Sequence, residues 1–138
     1  MNYKLHRCRR PVFGATYRAM NFGPAPLEIY EMAKGEAIWL AELKIDNFPW
    51  KLEGYRLSLV GNANPHLSVL SETDRSEVES AFKRSRALSF SARTAVTHGR
   101  DWQKANLGMM RYEDMLDETP EKPEVIEYLN ENARFMRL

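Results

Sequence analysis

Residues 36–60 read EAIWLAELKIDNFPWKLEGYRLSLV, a long apolar stretch that holds two of the three tryptophans of the chain. In its first half Ala37, Trp39, Ala41, Leu43 and Ile45 alternate with Glu36, Ile38, Leu40, Glu42 and Lys44. A period of two places the first set on one face of a strand, and Ile38 with Leu40 give the other face apolar character too. The competing reading is a helix from Glu36 to about Asp46, because Ala, Leu, Glu and Lys are good helix formers. The alternation favours the strand. On either reading the stretch is expected in the core, since Trp39 and its apolar neighbours need a partner to cover them. In the second half Tyr55, Leu57 and Leu59 alternate with Arg56, Ser58 and Val60, between Gly54 and Gly61-Asn62, which reads as a short strand.

The 138 residues suit one globular domain, 1–138, able to bury a core without staples. Apolar residues at 43% and charged residues at 28% argue against wholesale disorder. Cys8 is the single cysteine, so no intrachain disulfide can form, and a reducing cytoplasm is the expected location. No apolar run reaches the length of a transmembrane helix, and MNYKLHRCRRPVF does not read as a secretory signal.

Upstream, residues 2–8 suit an edge strand, and Val12 to Met20 a second strand with Phe13, Ala15 and Tyr17 on one face. FGPAP at 22–26 reads as a turn, and Pro26 to Lys34 as a short helix ended by Gly35 in the left-handed conformation. Pro49 marks 46–54 as a connection. SETD at 71–74 is a helix start, with Ser71 or Thr73 as cap and Val78, Ala81, Phe82 and Ser85 as the inward stripe. Residues 87–97 fit either a strand or a continuation of that helix, and the strand is slightly favoured. Trp102, Ala105, Met109, Tyr112 and Leu116 recur at helical spacing, with Gly108 as the weak position. After the break at 118–123 a closing helix runs nearly to Leu138, with Val125, Leu129, Ala133 and Met136 as its stripe. The expected fold is α+β: an antiparallel sheet covered on one face by about three helices, the last two at the carboxyl end.

No catalytic motif is visible. His6 and Cys8 supply two metal-ligand types without the further ligands a tetrahedral site needs, so no metal is expected. No cofactor is expected either, since GNANP lacks the Walker lysine and the dinucleotide fingerprint. Ser91, His98 and Asp101, with Arg93, are the candidates for an enzymatic pocket, but SFSAR is not a nucleophile elbow. Phe48 and Trp50 in the FPW turn are candidates for an exposed interface anchor, against the commoner role of closing one end of the core.

Charge segregation is the strongest unusual feature. Lys83, Arg84, Arg86, Arg93, Arg100 and Lys104 lie in a segment where Asp101 is the one acidic residue, while the chain from Glu113 onward is acidic. One reading is a basic surface for nucleic acid or an acidic protein partner. The other is that the acidic segment lies against the basic one, within the chain or across a homodimer, which suits the net charge of +1. With no catalytic constellation in view, the chain reads as a small non-enzymatic binding protein. A small enzyme built around His98, Asp101 and Ser91, or a purely structural homodimer, are the alternatives.

Overall fold

The computed structural model describes residues 14–64 and 67–135. The edge strand expected at 2–8, and His6, Cys8 and His66, lie outside them. Strands β1 (Tyr17–Met20) and β2 (Gly23–Pro26) form one antiparallel hairpin, and β3 (Trp50–Glu53) and β4 (Arg56–Leu59) form another. Around them run α1 (Leu27–Lys34), α2 (Ile38–Leu43), α3 (Glu72–Arg86), α4 (Phe90–Thr97), α5 (Arg100–Ala105) and α6 (Lys122–Asn132). The expected α+β class is what the structure shows. Its strands are divided between two two-stranded sheets instead of joining in one.

The core forms on β1. Ala15, Tyr17 and Ala19 point the same way and are buried with Met110 and Met115, while Trp102, Ala105 and Tyr112 pack against them. A second cluster, Leu116 with Val125 and Leu129 of α6, touches the first through Tyr112. The long helix expected through 102–116 is broken. Asn106 and Leu107 take positive φ angles of 46° and 62°, and α5 stops at Ala105. The chain then turns back beside β1: Ala19 N–H donates to Gly108 O at 2.9 Å, and Met110 N–H to Tyr17 O at 2.8 Å. Those bonds satisfy an edge of β1 that a continuing helix would leave open. Trp102 Nε1 donates to Met20 O at 2.8 Å and ties α5 to the same strand.

Within the stretch 36–45 residues Ile38–Leu43 form a helix, not a strand, and the stretch is not core. Ile38 is 72% exposed, and no residue of α2 is buried. No strand of either hairpin pairs with this stretch, and a helix satisfies its N–H and C=O groups within itself. Gly35 at φ 79° closes α1 as expected, Lys44 at φ 56° closes α2, and Trp39 Nε1 donates to Glu31 of α1 at 3.1 Å. Residues 23–26, read as a turn, pair with β1. Residues 50–53, read as a connection, form β3 directly after Pro49, whose carbonyl accepts from Val60 N–H at 2.9 Å beyond the last pair of the ladder. Residues 90–97 are helical, because Ser89 accepts from Ala92 N–H at 3.2 Å and starts a new helix.

The closing helix begins at Lys122 with Pro123 in its first turn and buries Val125 and Leu129 as the stripe requires. It ends at Asn132, and a 3-10 turn over Ala133–Phe135 follows.

Two outcomes follow from this packing. Gly23 has a φ of 129°, and a Cβ there would stand 2.6 Å from Thr97 Oγ1 on α4. Gly23→Ala is expected to lower the unfolding free energy by about 2 kcal/mol, read by denaturant titration. The Tyr112 hydroxyl donates to Ala15 O at 2.7 Å, and burial, helped by the Tyr17 phenolate once it forms and by the Glu28 carboxylate, pushes its pKa well above the ordinary 10.0. The unfolded chain therefore ionises first: the contribution is complete below pH 10 and is lost as pH climbs toward the raised value. Tyr112→Phe should flatten the alkaline fall in stability and cost about 1 kcal/mol at neutral pH.

Candidate functional site

The basic residues of the middle segment sit on three helices, and each helix uses them differently. Helix α3 starts at Ser71, whose hydroxyl accepts from Asp74 N–H at 3.1 Å, with Glu72 and Asp74 in the first turn. Lys83, Arg84 and Arg86 fill its last turn, where cations oppose the negative end of the helix dipole. The stripe expected to face inward is uncovered: Val78 and Ala81 are exposed, and Phe82 is 63% exposed. Lys83 reaches back one turn to Glu79 at 2.8 Å, and that hydrogen bond and charge hold the Glu79 carboxyl below its ordinary pKa. Arg84 and Arg86 have no ion pair or side-chain hydrogen bond among the described residues.

Arg93, on α4, is a clasp. Its Nε and Nη2 donate to Ser85 O at 3.2 and 3.0 Å, and Nη2 also to Leu88 O at 3.2 Å, carbonyls at the end of α3. Arg100 and Lys104, on α5, turn toward the acidic segment. Arg100 meets Glu118 at 3.5 Å, and Lys104 pairs with Asp114. Glu118 is shared with Lys122 at 2.8 Å. That hydrogen bond and charge, with Arg100 and Lys104 adding, keep its carboxyl below the ordinary range. The six residues therefore do not form one open field. Arg84 and Arg86 remain as the uncommitted pair.

The enzymatic candidates separate. Ser91 is exposed in the first turn of α4 and His98 caps its far end, seven residues or about 10 Å along the axis. The His98 ring stacks on Trp102 at 3.8 Å, and its Nε2 is buried with no hydrogen-bond partner among the described residues. Asp101 faces a cleft that neither Ser91 nor His98 lines. Among the described residues no three His, Cys, Asp or Glu side chains gather as a metal site. Phe48 and Trp50 fold back: their rings lie 5.0 Å apart, and Trp50 Nε1 donates to Met32 O of α1 at 3.0 Å.

The cleft itself was not readable from sequence. It encloses about 740 Å³ between α5, the end of α4, β2 and residues 114–122. No local motif announces it, because its walls come from segments up to about a hundred residues apart. No described helix is long and apolar enough to cross a membrane. Comparison with family models, curated proteins and solved structures finds no match to this chain.

Arg93 and Arg84 should part in a stability assay. Arg93→Leu leaves the carbonyls at the end of α3 without their donor and should cost about 1 kcal/mol in denaturant unfolding. Arg84→Ala, on an exposed and unpaired site, should change stability by no more than about 0.5 kcal/mol.

Proposed function

We propose that the protein is a non-enzymatic binding module that engages an acidic protein surface through the carboxyl-terminal turn of α3. The single observation that carries this reading is the combination on that turn: Phe82 at 63% exposure with Arg86 one turn on along the same face and Arg84 farther round the helix, neither arginine having a carboxylate partner among the described residues. An exposed aromatic ring with an unneutralised guanidinium group on its face suits a partner that offers carboxylates around an apolar contact.

A nucleic acid ranks second as partner, for a physical reason. Backbone binding grows with the number of phosphates neutralised, at a salt slope of about −0.9 per phosphate on duplex DNA. Of the six candidate residues, Lys83, Arg93, Arg100 and Lys104 already have partners within the chain, so only Arg84 and Arg86 of that set can bind phosphate without giving up a contact. A homodimer reading has its own support, because Leu52, Leu57, Leu59 and Val60 at the β3–β4 hairpin are all exposed. Sedimentation over a wide concentration range tests it, and a monomer throughout removes it.

The main test is fluorescence anisotropy with three labelled probes at low salt: an acidic amphipathic peptide rich in Glu and Leu, single-stranded DNA and duplex RNA. The peptide is expected to bind most tightly. Arg84→Glu with Arg86→Glu should weaken it tenfold or more, and Phe82→Ser severalfold, with the fold unchanged by circular dichroism. Tighter binding of either nucleic acid would move the assignment to a polyanion reader. Indifference of all three probes to the arginine reversal overturns the site.

A further inference from the structure

We infer that the cleft beside α5 is a binding site for a small zwitterion, a free α-amino acid or a dipeptide with an apolar side chain. The inference is independent of the α3 surface. The cavity of about 740 Å³ has the size of small-molecule sites. Val96, Pro24, Met115 and Leu116 supply apolar lining, and the ionic groups stand around it.

Two of those groups are left with capacity to spare. Asp101 is partly buried in the cleft, and among the described residues no hydrogen bond or ion pair reaches its carboxylate. Its Oδ1 folds over the backbone of Gly99, 2.8 Å from where a Cβ on that residue would stand. A carboxylate with no partner among the described residues has both oxygens open to a donor, and an ammonium ion is its natural complement. Arg100 is the second. Its side chain is 82% exposed and touches Glu118 only at 3.5 Å, while Glu118 already has Lys122 at 2.8 Å. Most of the five guanidinium donors therefore remain for a ligand carboxylate, which can take two of them at once. The exchange is cheap, because an exposed ion pair of this kind contributes about 0–1 kcal/mol.

The signs of the two groups select the ligand class. Arg100 and Asp101 both line the cleft, so a cationic and an anionic group open into one cavity. A free α-amino acid or a dipeptide carries one ammonium and one carboxylate. With the ammonium on Asp101 and the carboxylate on Arg100, its side chain is left to meet Val96, Pro24 and Leu116. Lys104 and Asp114, paired with each other at the same wall, neutralise one another and leave the selection to the first pair.

The test is calorimetric titration of the full chain with L-leucine, L-phenylalanine and leucyl-leucine. The controls are isoamylamine, which lacks the carboxylate, and 4-methylpentanoate, which lacks the ammonium. At least one zwitterion is expected to bind, with each control about tenfold weaker or worse than leucine. Asp101→Asn and Arg100→Gln should each weaken the zwitterion tenfold or more. Among the described residues Asp101→Asn removes no hydrogen bond or ion pair, so its melting temperature should stay close to the parent, and a lost signal at an unchanged melting temperature is not unfolding. Tighter binding by leucyl-leucine than by leucine assigns the dipeptide source, and the reverse the free amino acid. Equal binding of isoamylamine and leucine overturns the zwitterion. So does silence of all three zwitterions at about 10 mM, or equal affinity in the parent and Asp101→Asn.

Discussion

The return of residues 108–112 along β1 is the constraint on which the rest of the structure depends. Two backbone hydrogen bonds, from Ala19 to Gly108 and from Met110 to Tyr17, fix that segment against the strand. Tyr112 then closes the arrangement. Its ring meets Tyr17 edge to face at 6.0 Å, its hydroxyl bonds Ala15 O, and its body packs on both apolar clusters. Without this contact the α6 cluster and the β1 cluster have no shared side chain among the buried groups. The reversal needs left-handed backbone at Asn106 and Leu107, the second an unusual residue for that region. Pairing with β1 is what holds Leu107 there.

The charge arrangement follows from the same reversal. Turning the chain after α5 brings the acidic segment back across the face of α5, so Lys104 meets Asp114 and Arg100 meets Glu118. Residues basic in one stretch and acidic in the next thereby become walls of one cleft. Helix α3 lies outside this exchange. Its own Glu79 takes Lys83, Arg93 holds its end from α4, and Arg84, Arg86 and Phe82 face outward. One basic segment is thus divided into a part spent on the fold and a part left to the surface.

Apolar surface is distributed in the same uneven way. The buried side chains gather on β1, residues 110–116 and α6, whereas the apolar residues of α2 and of the β3–β4 hairpin remain largely exposed. Phe22 and Phe90 cover each other at 5.4 Å, yet are 71% and 63% exposed. A stretch rich in tryptophan and leucine is therefore not the core here, because burial depends on which element arrives beside it.

Local chemistry was readable wherever a residue acts on its own neighbours. Ser71 capping α3, Gly35 ending α1, Pro123 in the first turn of α6, the shared face of Ala15 and Tyr17, and the Val125–Leu129 stripe all follow from short-range rules. The α+β class follows from the same patterns. Position in space did not. Residues 36–45 alternate like a strand, but Ile38–Leu43 coil into a helix that no strand pairs with, and 102–116 repeat like a helix until pairing with β1 outweighs the last turns. The opposed charges of 83–104 and 113–131 could be counted in one dimension. Which of them meet depends on a chain reversal whose hydrogen bonds join residues about ninety positions apart, and no local pattern encodes a contact of that range.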